Sequence, residues 1–301
     1  MIKYVNNIQL LTGILFLIIL LYIVVFPTSL PNVDTKLERI LYTLGEDKKP
    51  IMPPFPPSSE NIFGTDHEGK DLYSLLVLGA KETLLYVFFI SGLRFLLGIP
   101  LSFLAVNKIA KSDSLLKLMN QIFIYVPSIV TIIIFMTLPP ILFSDFRPIL
   151  VVIIITLVEL NKVTSTLSDE INKVYQMEYI KAAISLGTNP IQIVRRYVFP
   201  QLFPHILVTF SLDIARNFVI LAQLGFFQFF ISHIHVQDDK GQWSFANTSL
   251  MWPNHLGNIL SDIRGPIWIP FFATLAITFS IITFNLLANG LSKQFVKKYH
   301  Y

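Results

Sequence analysis

The sequence contains no cysteine among its 301 residues. This absence excludes disulfide bonds, thiolate metal sites and cysteine nucleophiles in the chain. Charged residues are also scarce: they make up 14% of the chain, where an ordinary soluble domain has about 25%. The apolar residues are grouped in long runs, so the composition indicates one polytopic membrane domain.

Motifs that bind nucleotides or carry out hydrolysis are missing as well. The phosphate-binding pattern G-x-x-x-x-G-K-[ST] does not occur, and neither does the metalloprotease pattern H-E-x-x-H or the serine-hydrolase pattern G-x-S-x-G. We therefore expect no catalytic residue, no metal site and no directly bound cofactor. The net charge of +4 is explained by basic residues that fix membrane topology, so it indicates no nucleic-acid partner.

Six apolar runs predict six transmembrane helices, at about residues 8–26, 83–106, 120–142, 148–166, 204–229 and 267–289. A cleaved signal peptide is the alternative for the first run, but no small-x-small cleavage site follows it, which favours an uncleaved span. The predicted fold class is thus an all-α membrane protein. It begins with a transmembrane helix within residues 1–30 and ends with a short tail, residues 296–301.

Residues 31–80 separate the first two spans and are polar and rich in proline. They predict an extracytoplasmic segment that ends in an amphipathic helix lying along the membrane. Leu72, Leu75 and Leu76 mark the apolar side of this helix, and Thr65 or Asp66 is expected to cap it.

The basic residues orient the chain in the membrane. If the N-terminus is inside, the short outer loops contain only Arg147, Lys240 and Arg264, whereas the inner segments contain most other lysines and arginines near the spans. Loops rich in Lys and Arg stay in the cytoplasm. We therefore expect both termini to be cytoplasmic, together with the loop of residues 167–203 between the fourth and fifth spans.

That loop contains a polar insert of residues 178–200, EYIKAAISLGTNPIQIVRRYVFP, which we call the elbow. Gly187 can adopt the left-handed conformation that ends a helix, Asn189 is a good N-cap, and Pro190 suits the first position of a second helix. The second helix is expected to place an apolar side opposite its arginines, with the residues Ile191, Val194 and Val198 against Arg195 and Arg196. The pattern indicates a helical elbow that another protein holds; the alternative is an inert surface loop.

Four ionisable residues fall within or near the apolar runs: Arg94, Glu159, Asp213 and Arg216. Such residues are costly in lipid and usually face a bundle interior, a water path or a partner. Asp213 and Arg216 are three residues apart and are therefore able to pair on one helix face. Two interpretations stay open for Arg94, Asp213 and Arg216, namely a structural ion pair and the lining of a translocation path.

The loop after the fifth span contains His233 and His235, which are conceivable metal ligands. The string H-x-H is common, however, and the loop is also rich in aromatic residues. Trp243, Phe245 and Trp252 are typical of a membrane–water interface, which is the interpretation we favour here.

Part of the elbow resembles a known signature. Lys181, Ala182, Ala183 and Gly187, together with Pro200, resemble the cytoplasmic loop of bacterial ABC-importer permeases, E-A-A-x3-G-x9-I-x-L-P. The sequence departs from this pattern with lysine, tyrosine and phenylalanine at positions 181, 197 and 199. The preceding residues 178–179, Glu and Tyr, are usual in the variant found in peptide and nickel importers.

A second stretch narrows the subfamily. Residues 64–71, GTDHEGKD, are similar to the G-T-D-x-x-G-R-D stretch of the C-type permease subunit in dipeptide and oligopeptide systems. Residues 127–128 and 284–291 resemble further patterns of the same subunit. The resemblance covers about residues 60–295.

The resemblance implies a permease core over residues 81–295, with residues 167–203 as the loop that couples it to a cytoplasmic ATPase. The implied coupling residues are Glu178, Ala182, Ala183, Gly187, Asn189, Pro190, Arg195, Arg196 and Pro200. The implied partners are a second permease subunit that completes a heterodimer, two ATPase subunits that use ATP, and an extracellular substrate-binding lipoprotein. The chain is then a multi-pass protein of the bacterial cytoplasmic membrane that imports peptides, with metal chelates or other small solutes as the alternative substrates.

Two other classes of protein are rival interpretations. A secondary transporter or channel would work without ATPases and would often contain an internal repeat, which this sequence does not show. A membrane enzyme would need a nucleophile or base at readable spacing, and none is found.

Overall fold

The computed structural model describes residues 7–44, 50–107, 121, 125–237 and 243–299. Most of these residues are helical. The helices are α1 (Ile8–Val25), α2 (Leu72–Val106), α3 (Ser128–Met136), α4 (Pro139–Leu142), α5 (Arg147–Tyr175), α6 (Glu178–Ser185), α7 (Pro190–Ile193), α8 (Phe199–Phe226), α9 (Ile259–Asp262) and α10 (Trp268–Tyr299). Two antiparallel pairs of strands complete the described part, β1 (Thr43–Leu44) with β2 (Pro50–Ile51) and β3 (His233–Gln237) with β4 (Trp243–Asn247).

Five helical stretches in the described ranges are long and apolar enough to cross a membrane. They are Ile8–Val25, Leu72–Val106, Arg147–Tyr175, Pro190–Phe226 and Trp268–Phe295. Each coincides with one of the six predicted spans. At 1.5 Å per residue, the 35 residues of α2 extend about 52 Å, well beyond the ~30 Å of hydrocarbon in a bilayer. The fold is therefore that of a mainly helical, multi-pass membrane protein.

The third predicted span, residues 120–142, is described only in part, because residues 120 and 122–124 lie outside the described ranges. The described part contains α3, with 9 residues, and the short α4. Pro139 and Pro140 occupy the first positions of α4, where a missing N–H costs nothing. The prolines thus start a new helix here, and the count of six spans stays a prediction.

The second span begins earlier than the sequence suggested. Leu72, Leu75 and Leu76 are buried in the first turns of α2, and the expected separate surface helix gives way to one continuous helix. The helix is capped by Asp71 instead of the expected Thr65 or Asp66, because Asp71 Oδ2 accepts the N–H of Ser74 in the first turn of α2 at 2.8 Å. Asp66 stabilises the turn before α2, since its Oδ1 accepts the backbone N–H groups of Glu68 and Lys70.

The chain packs as two compact units. The first consists of Met1–Ile14, Phe88–Asn217 and Thr283–Tyr301. Its core is made of buried side chains from α2, α5, α6, α7, the turn after α7, and α8: Phe95, Val163, Leu167, Ile171, Val174, Ile180, Ile193, Val198 and Leu202. Helices of both membrane-crossing and elbow segments therefore share one core.

The second unit consists of Leu15–Val87 and Phe218–Ile282. Trp252 is buried in it, and its indole Nε1–H donates to the backbone oxygen of Leu76 at 2.7 Å. The backbone N–H of Trp252 donates to Thr83 Oγ1 at 3.1 Å. Trp252 thus fastens its loop to α2. The membrane–water interface expected for this residue stays a prediction, and its indole N–H is satisfied by the Leu76 carbonyl.

Candidate functional site

The first half of the elbow is a helix closed by a left-handed glycine. Gly187 has a φ of +74°. Its N–H donates to the Ile184 oxygen at 3.0 Å, and the N–H of Thr188 donates to the Ala183 oxygen at 3.1 Å. These two bonds are the usual closure of a helix by a left-handed residue. Among the described residues, no atom lies within 4 Å of the Cβ position at Gly187, so the backbone angle rather than crowding favours glycine.

The second half of the elbow runs directly into a membrane helix. Asn189 Oδ1 accepts the N–H of Ile191 at 2.9 Å, and Pro190 begins α7. After α7 comes a π-helical turn, Val194–Val198, and α8 follows at Phe199 without a break. The sequence correctly predicted the turn and its cap. It did not show that the second helix and the following span are continuous. Because of this continuity, a displacement of the second half of the elbow moves the start of α8.

One face of the elbow is locked into the core of the first unit. Ile180, Ala183, Ile193 and Val198 are all buried. The expectation that Ile191 shares one side of the helix with Val198 is wrong, since Ile191 is 74% exposed whereas Val198 is buried. A π turn closes every five residues instead of every four, which places Ile193 rather than Ile191 on the same side as Val198.

The opposite face of the elbow exposes large apolar side chains. Ile184 is 50% exposed, Leu186 is 85% exposed, and Ile191 has been described above. We call these three residues the apolar tip. Of the nine predicted coupling residues, Ala183 points into the core, while the other eight are exposed: Glu178, Ala182, Gly187, Asn189, Pro190, Arg195, Arg196 and Pro200. The sequence reasoning missed the apolar tip, although three large apolar residues close to the turn of a polar insert were a visible signal.

A tyrosine pair ties the two ends of the elbow together. Tyr179 Oη donates to Gln201 Oε1 at 2.6 Å, and its ring centroid lies 6.1 Å from that of Tyr197. A tyrosine hydroxyl is protonated at neutral pH, and burial raises the pKa of Tyr179 further. Tyr197, a departure from the loop signature, thus has a packing partner; nothing in the structure explains Lys181.

Within the spans, Arg94 and Asp213 form a buried ion pair. Arg94 Nη1 lies 2.5 Å from Asp213 Oδ1, and the two side chains are 0% and 4% exposed. Arg94 Nη2 also donates to the backbone oxygen of Ile155 at 3.1 Å. Asn217 Nδ2 lies 3.3 Å from Asp213 Oδ2 and 2.7 Å from Ser91 Oγ. The pair therefore joins α2, α5 and α8, which favours the structural interpretation for these two residues.

Arg216 belongs to a different group of charges. Its Nη1 lies 3.6 Å from Glu159 Oε2 on α5, so the suggested local pair with Asp213 is not formed. Lys162 Nζ donates to Glu159 Oε1 at 2.7 Å and to Ser128 Oγ at 3.1 Å. Glu159 is 1% exposed, whereas the side chains of Lys162 and Arg216 are 43% and 50% exposed. We call Glu159, Lys162 and Arg216 the charged cluster.

Comparison with known protein families shows which family the chain belongs to. The family described as binding-protein-dependent transport system inner membrane component matches residues 96–301, a range that includes the elbow and the charged cluster. The chain belongs to this family. It is therefore a permease subunit of an ABC transport system, a non-catalytic, multi-pass component of the bacterial inner membrane.

Curated relatives of this permease are similar over most of its length. The probable D,D-dipeptide transport system permease protein of Escherichia coli is 25% identical over 237 residues, which are 78% of this chain and 73% of the relative. The dipeptide transport system permease protein of Bacillus subtilis is 25% identical over 243 residues, covering 78% and 68%. The glutathione transport system permease protein of Pectobacterium atrosepticum is 24% identical over 235 residues, covering 78% and 72%. The resemblance to C-type peptide permeases is thus confirmed.

Metal ligands were not expected in this permease. In the ranges that the structure describes, no group of three or more His, Cys, Asp or Glu side chains is arranged to hold a metal ion. The side chains of His233 and His235 lie outside the described part, so the alternative of a metal site there stays untested.

Proposed function

We propose that this permease is one of the two membrane subunits of an ATP-driven importer of peptides and forms half of its translocation path. Membership of the family supports the transport role. Relatives named for dipeptide and glutathione transport support a peptide-like substrate. In this proposal the chain crosses the bacterial cytoplasmic membrane six times, with both termini inside and residues 31–80 outside.

The apolar tip carries the proposal that the elbow docks on a cytoplasmic ATPase. Ile184, Leu186 and Ile191 are exposed to at least half of their area, on a segment whose other face is already packed. Exposed apolar patches rimmed by polar residues mark protein interaction sites. Arg195 and Arg196 are exposed on the same segment and are suited to pair with acidic groups of a partner.

Rigid connection to the spans explains how docking would drive transport. Ile193 and Val198 anchor the elbow in the core of the first unit, and α8 continues from it without a break. When two partner ATPases close on ATP, the elbow moves with them and shifts α8. Such a two-state element, biased by a partner, is what coupling requires. A second permease subunit completes the path, and an external substrate-binding lipoprotein delivers the solute.

The experiment that tests docking is a charge placed on the apolar tip. Leu186→Asp should abolish uptake of a labelled dipeptide by cells that express the whole importer, because an unpaired carboxylate would be buried at the contact. The amount of the variant protein in the membrane should stay normal, since the Leu186 side chain is 85% exposed and packs little within the chain.

Leu41→Asp is the matched control, because Leu41 is 67% exposed and lies outside the elbow; uptake should persist. Normal uptake by Leu186→Asp at normal abundance would overturn the docking role. Uptake that continues when the ATPases are deleted would instead favour a secondary transporter or channel.

A further inference from the structure

The exposed face of α8 carries a positive charge in the middle of a membrane-crossing helix. Arg216 lies well inside α8, Phe199–Phe226, and its side chain is 50% exposed. Leu212, one turn earlier, is 43% exposed on the same face. A charged side chain at this depth is costly in lipid and normally faces a protein interior or a water-filled cavity.

The neighbouring carboxylate of Glu159 offsets only one of the two positive charges beside it, those of Arg216 and Lys162. Lys162 already donates to Glu159 at 2.7 Å. The 3.6 Å between Arg216 and Glu159 Oε2 is too long for a hydrogen bond, and that oxygen has no hydrogen-bond partner among the described residues although it is buried. Two half-exposed cations thus share one carboxylate, which leaves the charged cluster with one surplus positive charge.

The exposed face of α5 is apolar and serves as a comparison. Ile149, Ile153 and Leu157 follow one another at intervals of four residues and are 59%, 39% and 47% exposed. This apolar stripe can lie against lipid at no electrostatic cost. The α8 face with Arg216 differs from it in charge, and so the two faces are expected to have different surroundings.

We propose that Arg216, with Lys162 beside it, lines the water-filled path and attracts a carboxylate of the transported solute. This inference rests on the proposed import function and adds the chemical class of the substrate, a solute with a free carboxylate. A guanidinium suits this task, because its planar donors match a carboxylate in a two-point contact. Arg94 and Asp213 are buried against each other and hold helices together instead of lining the path.

The absence of native cysteine makes a direct test available. In membrane fragments that contain the assembled importer, single variants Leu212→Cys and Leu157→Cys are treated with water-soluble methanethiosulfonates that carry either a sulfonate or a trimethylammonium group. Leu212→Cys should react, whereas Leu157→Cys, its matched control of similar exposure, should not. The sulfonate reagent should be preferred at position 212.

Arg216→Gln in the Leu212→Cys background should lower the ratio of sulfonate to trimethylammonium reaction rates roughly tenfold, as expected for a unit charge one helical turn away in water. Arg216→Lys should preserve the ratio. Trialanine should slow the sulfonate reaction, and trialanine amide should slow it less, because the amide lacks the carboxylate.

Two results would overturn the proposal that Arg216 lines the path. One is a Leu212→Cys that does not react in the assembled importer; if the same variant reacts in the isolated chain, Arg216 lies at the contact with the second permease. The other is a ratio of reaction rates that Arg216→Gln leaves unchanged. Equal slowing by trialanine and its amide would remove the carboxylate assignment. Labelling needs no ATP, so these outcomes are independent of whether Leu186→Asp blocks uptake.

Discussion

Removal of one charge from the buried Arg94–Asp213 pair should destabilise the first unit strongly. Asp213→Ala would leave the guanidinium of Arg94, which is fully buried, with the Ile155 carbonyl at 3.1 Å as its remaining hydrogen-bond acceptor among the described residues. Breaking a buried pair from one side costs about 3–5 kcal/mol, because an uncompensated charge stays inside.

Removal of both charges should cost much less. In Arg94→Met with Asp213→Leu, neither position of the pair carries a charge, and we expect a loss below about 2 kcal/mol, because apolar replacement of buried pairs is often neutral. Lys173→Gln is the control for an exposed pair. It breaks the Lys173–Glu170 contact of 2.6 Å, in which Lys173 is 67% exposed, and should cost less than about 0.5 kcal/mol.

Thermal unfolding of the detergent-purified chain, followed by circular dichroism for the single and double variants, measures these differences. The order of stability expected is Lys173→Gln, then the double variant, then Asp213→Ala. If Asp213→Ala is no less stable than Lys173→Gln, the pair does not hold α2 to α8 and the structural interpretation fails.

Further predictions concern loops and caps. Burial, with Lys70 and His67 nearby, lowers the pKa of His255 from 6.5 to about 4. Between these two pH values the imidazole is protonated in the unfolded chain and neutral in the folded chain. The contribution of His255 to the free energy of unfolding is therefore fully present above pH 6.5 and falls by at most about 3 kcal/mol as the pH approaches 4. His255→Asn should reduce this pH dependence in thermal melts. Asn189→Ala removes the cap of α7 and should cost about 1 kcal/mol in the same assay. Trp252→Phe removes the hydrogen bond from the indole N–H to the Leu76 carbonyl, which keeps its bond within α2, and should cost about 0.5–1.5 kcal/mol.

The features that the sequence predicted well depend on local backbone chemistry. The left-handed Gly187, the Asn189 cap and the Pro190 start all follow from rules that involve only neighbouring residues. Five of the spans were equally accessible, because a run of apolar residues long enough to cross the hydrocarbon is a signal within one segment.

The features that the sequence missed depend on packing. The partner of Asp213 is Arg94, 119 residues away, and no spacing rule along one helix reveals such a pair. Ile193 replaces Ile191 on the buried face because a π turn changes the helical repeat. A prediction from apolar periodicity assumes that this repeat is constant. Ala183 matched the loop signature, yet its burial shows that its small size serves the elbow's own packing.

Adjacent alanines in the elbow allow the most direct test of the coupling proposal. Ala182 is exposed and Ala183 is buried, and the chain has no other thiol. In membranes with the assembled importer, Ala182→Cys and Leu186→Cys should crosslink to a cysteine placed on the surface of the ATPase that faces the permease, whereas Ala183→Cys should not. Absence of a crosslink at both exposed positions, across a series of ATPase cysteines, would contradict docking of the elbow on the ATPase.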